Sequence, residues 1–206
     1  MSEEREVLLI SCDVSSLVVD ALYKQAAEED TAVACFYLDS AAQKEQSPAA
    51  ILGSVLKQIV DGLDQVPERI AKAFRNKGKT SGGQRLALAE IVEFLQDISS
   101  SRRTFICIDA LDECPPGHRV KLLDSLNEIL RETPGARLFL TGRPNIRAEV
   151  EKDLAGRTVT KLIMPMKEDI TIFLRAKLDQ DTTPEAMDAS LEEEIIQDIP
   201  DTFSEM

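Results

Sequence analysis

Thr104-Phe105-Ile106-Cys107-Ile108-Asp109-Ala110-Leu111-Asp112-Glu113 is the stretch from which the rest of the chain can be read. A short run rich in β-branched and aromatic residues ends on three carboxylates, Asp109, Asp112 and Glu113. Such a run, apolar throughout, suits a strand buried on both faces of a parallel sheet. An acid at its carboxyl end stands in the crevice where open α/β sheets bind ligands. There an Asp can hold a magnesium ion on a nucleotide, and a neighbouring carboxylate can orient an attacking water. The competing reading is that the acids end a strand and open a turn, and in a chain with 37 acidic residues the D-x-x-D-E pattern also arises by chance.

Working outward, apolar runs at 7–10, 32–38, 104–108, 137–140 and 157–163 predict strands. Between them lie helical patterns. One is capped by Ser15 or Ser16 and runs to about Glu29; a second opens at Ser47-Pro48, with Ile51, Leu52, Val55, Leu56 and Ile59 on one face. Others run from Pro67 to Phe74, Leu86 to Ile98, Val120 to Leu130, Glu168 to Leu178 and Leu191 to Ile199. Pro115, Pro116 and Gly117 read as the loop before the helix at Val120. Strand and helix alternate at the spacing of right-handed crossovers, which predicts a three-layer α/β/α fold with a mainly parallel sheet.

The 206 residues suffice for one hydrophobic core, or a domain with an appendage. The division expected is a nucleotide-binding-type core over 1–180 and the acidic, helical start of a following region over 181–206. From Pro184 to Met206 there are eight acidic residues and no basic one, and the pattern stops without a helix stop signal, which reads as truncated. There is no secretory signal pattern and no run of 18 apolar residues, so a cytoplasmic location and no membrane partner are expected. Cys12, Cys35, Cys107 and Cys114 lack paired spacing and read as reduced thiols, Cys35 and Cys107 inside buried strands. A net charge of -13 disfavours a nucleic acid backbone, so no nucleic acid partner is expected.

Thr141-Gly142-Arg143 follows the next strand, and in a parallel sheet it emerges on the same edge as Asp109, where Arg143 can reach a terminal phosphate. The plainer account is a turn made by Gly142 and Pro144 with Arg143 in solvent. Gly78-Lys79-Thr80 has the end of a phosphate-loop motif, but Ala73 stands where its first glycine belongs and a helix precedes it, so a flexible surface loop over Asn76 to Gly83 is expected. His118, the single histidine, reads as a surface residue and completes no zinc set with Cys107 and Cys114.

Together these features resemble the NACHT-type NTPase domains of large intracellular signalling proteins, members of the STAND NTPases, and especially fungal multidomain receptors with a nephrocystin-type NTPase module. Phe105 to Cys114 resembles the Walker B segment, and Leu138-Phe139-Leu140-Thr141-Gly142-Arg143-Pro144 the sensor strand, with Gly142 where relatives commonly have Ser. Leu17-Val18-Val19-Asp20 is similar to the helix after the phosphate loop, and Val33 to Leu38 to the second strand. The resemblance implies a P-loop NTPase fold. It also implies that Asp109 and Asp112 bind Mg2+, that Asp112 and Glu113 support the metal and hydrolytic water, and that Arg143 senses the terminal phosphate of ATP or GTP.

One departure outweighs the match. Where that family carries its phosphate loop, this chain has Ser11-Cys12-Asp13-Val14, with no glycine and no lysine. The reading that follows is an incomplete, degenerate or truncated nucleotide-binding domain acting as a structural or signalling module of a multidomain protein. Its nucleotide binding is expected to be weak or absent, with Mg2+ and ATP or GTP belonging to the parent protein and no cofactor of its own, and its partners to be neighbouring domains or a second copy. The alternative is a magnesium-dependent ATP or GTP switch with slow hydrolysis, its phosphate loop supplied by the full-length parent, so that the isolated chain is inactive while the parent is an NTPase.

Overall fold

In the computed structural model of the chain, which describes residues 7–11, 15–26, 30–43, 45–78, 86–162, 167–179 and 189–204, the apolar runs become five strands. They are β1 (Val7–Ser11), β2 (Thr31–Tyr37), β3 (Arg103–Asp109), β4 (Ala136–Thr141) and β5 (Thr158–Leu162). Their order is β2-β3-β4-β1-β5, and every pairing is parallel. Parallel neighbours cannot be joined by a hairpin, so successive strands are joined by crossovers. The helices of these crossovers are α1 (Ser15–Ala26), α2 (Pro48–Asp61), α3 (Glu68–Gly78), α4 (Leu88–Ser101), α5 (Pro116–Glu132) and α6 (Arg147–Asp153). The chain leaves β1 for the far edge, returns through β3 and β4, then passes β1 to reach β5. This reversal beside β1 is the switch point at which such sheets bind ligands.

Alternation along β3 sorts its side chains. Ile106 and Ile108 are fully buried in a core shared with Ile51, Leu52, Leu56 and Ile59 of α2, Leu95 of α4, and Leu122, Leu123 and Leu126 of α5. α2 forms because those apolar positions recur at helical spacing behind a good start: the Ser47 hydroxyl accepts from the Ala50 N–H at 3.3 Å and Pro48 occupies the first turn. The residues between point the other way, and there Tyr23 of α1 meets Cys35 and Cys107.

α7 (Lys167–Asp179) and α8 (Ala189–Ser204) pack on each other and belong to a second compact unit that begins at Ile163, the first unit ending at Leu162. The helices on either side of the boundary expected at residue 180 therefore fall in one unit. Among the described residues no helix is long and apolar enough to cross a membrane.

Two readings change. Pro116 and Gly117 are not loop but the first turn of α5, since proline lacks only an N–H that the first turn leaves unpaired anyway. The expected flexible loop over 76–83 begins as the end of α3, which runs to Gly78; Lys79 to Gly83 lie outside the described residues, as does Cys12. The seven-residue helix α6 and the three 3₁₀ turns had no periodic signal, α6 burying only Val150 along its length.

As the edge strand, β2 has outward backbone groups with no strand to pair them. The Gln58 side chain of α2 fills part of that role: its Oε1 accepts from the Cys35 N–H at 3.0 Å and its Nε2 donates to the Cys35 carbonyl at 2.8 Å. Arg102 donates to the Thr31 carbonyl at 3.3 Å and pairs with Asp30 at 2.7 Å. Gln58→Leu keeps the helix but strips both bonds from the edge. Chemical denaturation is expected to show a loss of about 1–3 kcal/mol, with increased self-association in light scattering because the edge is open.

Burial, together with the nearby Cys35 thiol, pushes the Cys107 thiol up from 9.0 to about 12. Tyr23 rises from 10.0 to about 12, first by burial and then through Cys35. Both groups hold their proton in the folded chain at a pH where the unfolded chain has released it. Their contribution to stability is therefore complete below about pH 9 and is lost as pH rises towards about 12. Urea midpoints are expected to fall between about pH 8 and about pH 11, and to fall less in Cys107→Ala; an equal fall in that variant would show that Cys107 is not a source.

Candidate functional site

Asp109 is the last residue of β3, and Ala110 then takes a left-handed conformation (φ 55°). For a residue with a Cβ that geometry costs about 1–2 kcal/mol, so surrounding contacts must hold it. They do: the Ala110 N–H donates to the Thr141 Oγ1 at 2.9 Å, and the Thr141 hydroxyl donates to the Asp109 Oδ1 at 2.5 Å. One buried hydroxyl thus ties the carboxyl ends of β3 and β4 together and aims the Asp109 carboxylate. The Leu38 N–H donates to the Asp109 carbonyl at 3.1 Å, adding the end of β2 to the same edge.

A 3₁₀ turn over Leu111–Glu113 follows, pinned by the fully buried Leu111. It turns Asp112 towards the loop after β4. The Asp112 Oδ1 accepts from the Arg143 N–H at 3.1 Å, its Oδ2 lies 3.4 Å from the Arg143 Nε, and the Glu113 Oε1 lies 3.5 Å from the same guanidinium. The Asp112 side chain is only 8% exposed whereas Arg143 is 76% exposed, so the acid is held in place and the arginine lies over it. Gly142 permits this approach: a Cβ there would stand 2.6 Å from the Ile146 Cδ1 and 3.3 Å from the Asp112 Oδ1.

Three residues that sequence reasoning passed over support the turn. The Arg119 guanidinium, on the first turns of α5, donates to the carbonyls of Cys114 at 2.9 Å and Asp112 at 3.4 Å, and pairs with Glu149 of α6 at 2.9 Å. Gln43 donates its Nε2 to the Glu113 carbonyl at 3.1 Å. The signal for Arg119 is a charged residue on the apolar face of an amphipathic helix, which requires a partner when buried; its partner Glu149 lies 30 residues away in sequence and carries no pattern of its own.

The structure brings all four predicted residues, Asp109, Asp112, Glu113 and Arg143, to one edge of the sheet. It pairs Asp112 and Glu113 with Arg143, and Asp109 with Thr141. Among the described residues no three histidine, cysteine or acidic side chains converge to hold a metal ion. A magnesium ion at Asp109 would have one protein carboxylate and would need phosphate oxygens to complete its shell. Phosphates in turn need backbone N–H groups and a cation after β1. Only three residues separate β1 from α1, Cys12, Asp13 and Val14, whose positions lie outside the described residues but which include neither glycine nor lysine. The residues present therefore fit half of a metal–nucleotide site.

The chain is similar in fold to known structures. The chain is similar to the Drosophila ORC bound to DNA, with a TM-score of 0.55 at 13% identity over 100% of this chain and 50% of that one. It is similar to Cdc6p from Pyrobaculum aerophilum, with a TM-score of 0.51 at 11% identity over 84% of this chain and 43% of that one. The Aeropyrum pernix ORC1 protein in complex with DNA gives a TM-score of 0.47 at 19% identity over 85% of this chain and 44% of that one. The chain thus has a P-loop NTPase type of fold and spans about half the length of these structures. No curated protein sequence matches it.

The expectation of no nucleic acid partner does not stand, because a protein of similar fold is seen bound to DNA. The physical error lay in using a sum: a net charge of -13 describes the whole surface, whereas a phosphate backbone meets only a local patch. The Nephrocystin 3, N-terminal family model matches residues 13–143, a span that contains Asp109, Thr141 and the acid turn tied to Arg143. With well over half of its length matched, this chain belongs to the Nephrocystin 3, N-terminal family, as a nephrocystin-type NTPase-like domain.

Proposed function

We propose that this chain is the NTPase-like module of a larger protein in which the nucleotide-binding framework persists, the phosphate-binding loop has been lost, and the module acts in structure or signalling. The observation that carries the proposal is the connection between β1 and α1. A phosphate loop needs several glycines to wrap successive N–H groups around the phosphates and a lysine to meet their charge. The three residues there offer an aspartate instead. Arg143 supports the same reading, since its guanidinium lies against Asp112 and Glu113 at 3.4 and 3.5 Å and a phosphate would have to compete with those acids for it. The resemblance of Phe105 to Cys114 and Leu138 to Pro144 to NACHT-type segments favours a parent of the fungal multidomain receptor kind.

A second reading, a magnesium-dependent ATP or GTP switch, is favoured by the Asp109 and Thr141 pair at the ends of adjacent strands. It requires a longer connection between β1 and α1 than this chain has, because a phosphate loop functions between that strand and that helix.

Calorimetric titration with ATP and GTP, with and without magnesium, separates the two. Each missing charge-assisted contact removes roughly 1.5–3 kcal/mol, and each 1.4 kcal/mol is about tenfold in affinity. Dissociation constants above about 1 mM are therefore expected for both nucleotides. Micromolar, magnesium-dependent binding that disappears in Asp109→Asn would replace the proposal with the switch. Micromolar binding that survives both Asp109→Asn and Arg143→Ala would place the nucleotide elsewhere on the chain.

A further inference from the structure

Cys35 and Cys107 are directly opposite each other in the register of β2 and β3. Partners in a parallel ladder point to the same face, and adjacent strands lie about 4.8 Å apart. That spacing falls within the window of about 4.4–6.8 Å between Cα atoms that a disulfide spans. The two sulfurs are close enough for Cys35 to raise the Cys107 thiol, and Tyr23 of α1 and Tyr37 of β2 lie near enough to Cys35 to be raised by it as well. Both thiols are free.

We propose that Cys35 and Cys107 form a reversible oxidation site that peroxide closes into a disulfide between β2 and β3. The two positions differ in the way such chemistry needs. Cys35 lies on the edge strand, half-buried, with its backbone held on the outward side by Gln58. Cys107 is 2% exposed and sits behind it. The Cys35 thiolate attacks one peroxide oxygen, forming an S–O bond and breaking the O–O bond; the departing hydroxide takes a proton to become water. The Cys107 sulfur then attacks the resulting sulfenic acid sulfur, the S–S bond forms, the S–O bond breaks, and the hydroxyl leaves with the Cys107 proton as a second water. The two sulfurs together supply the two electrons that reduce the peroxide.

The bond would couple redox state to the candidate site. Cys107 precedes Asp109 by two residues, and Tyr37 is the register partner of Asp109. A disulfide one pleat below would fasten β2 to β3 immediately beneath that carboxylate.

The test uses the full, reduced chain treated with hydrogen peroxide, followed by alkylation, digestion and mass spectrometry. The peptides containing Cys35 and Cys107 are expected to be joined, lighter by two hydrogens, and released by dithiothreitol. Cys35→Ser should abolish the joined peptide, and Cys107→Ser should leave a Cys35 sulfenic acid that dimedone traps. The proposal is overturned if Cys35 pairs with Cys12, Cys114 or a second chain, if both thiols remain free, or if joining occurs only in urea. Because the decisive mapping is made on the unaltered chain, a variant that fails to fold does not rescue it.

Discussion

β3 is hydrogen-bonded along both edges, to β2 on one side and β4 on the other, and its side chains are covered on both faces. That double constraint requires an uninterrupted apolar run from residue 105 to 108 and leaves polar side chains only towards the strand's ends. Everything at the candidate site depends on where the run stops. Asp109 follows the last buried pair, Ala110 turns the chain with a positive φ, and the Thr141 hydroxyl accepts the strained residue's N–H while donating to the acid. Because one hydroxyl makes both bonds, neither the turn nor the orientation of Asp109 is independent of β4.

The electrostatics beyond that point are self-contained. Asp112 and Glu113 share the Arg143 guanidinium, and Arg119 secures the carbonyls of the turn that carries them. In a functioning phosphate site, arginine and metal ions meet the phosphate oxygens and neutralise their charge. Where no cradle presents the phosphates, direct pairing is the lower-energy arrangement, since a poorly solvated carboxylate needs a partner. The Arg143 pairings hold the turn after β3 against the loop after β4.

The fold belongs to proteins seen on DNA as well as to this acidic chain, which separates framework from partner. A parallel sheet with its polar strand ends on one edge provides a place to build a site. Which ligand comes there is set by a few side chains and by local charge, neither of which follows from composition.

Much of the architecture was legible in the residues themselves. Strands that must be apolar on both faces announce themselves as continuous runs, and Ser47-Pro48 marks a helix start because a hydroxyl cap and a missing N–H each act within one turn. The acids after Ile108 and the arginine after Thr141 were likewise visible, because parallel strands deliver their carboxyl ends to one edge. Sequence alone therefore determined the strand order along the chain, the longer helices, the shared edge and the lack of glycine and lysine between β1 and α1, all of which rest on local pattern. Only tertiary structure decided that Asp112 faces Arg143 while Asp109 bonds Thr141, that Arg119 and Glu149 meet across 30 residues, and that Cys35 stands opposite Cys107. Those pairings depend on strand register and on side-chain reach between elements distant in the chain, and no local pattern encodes either.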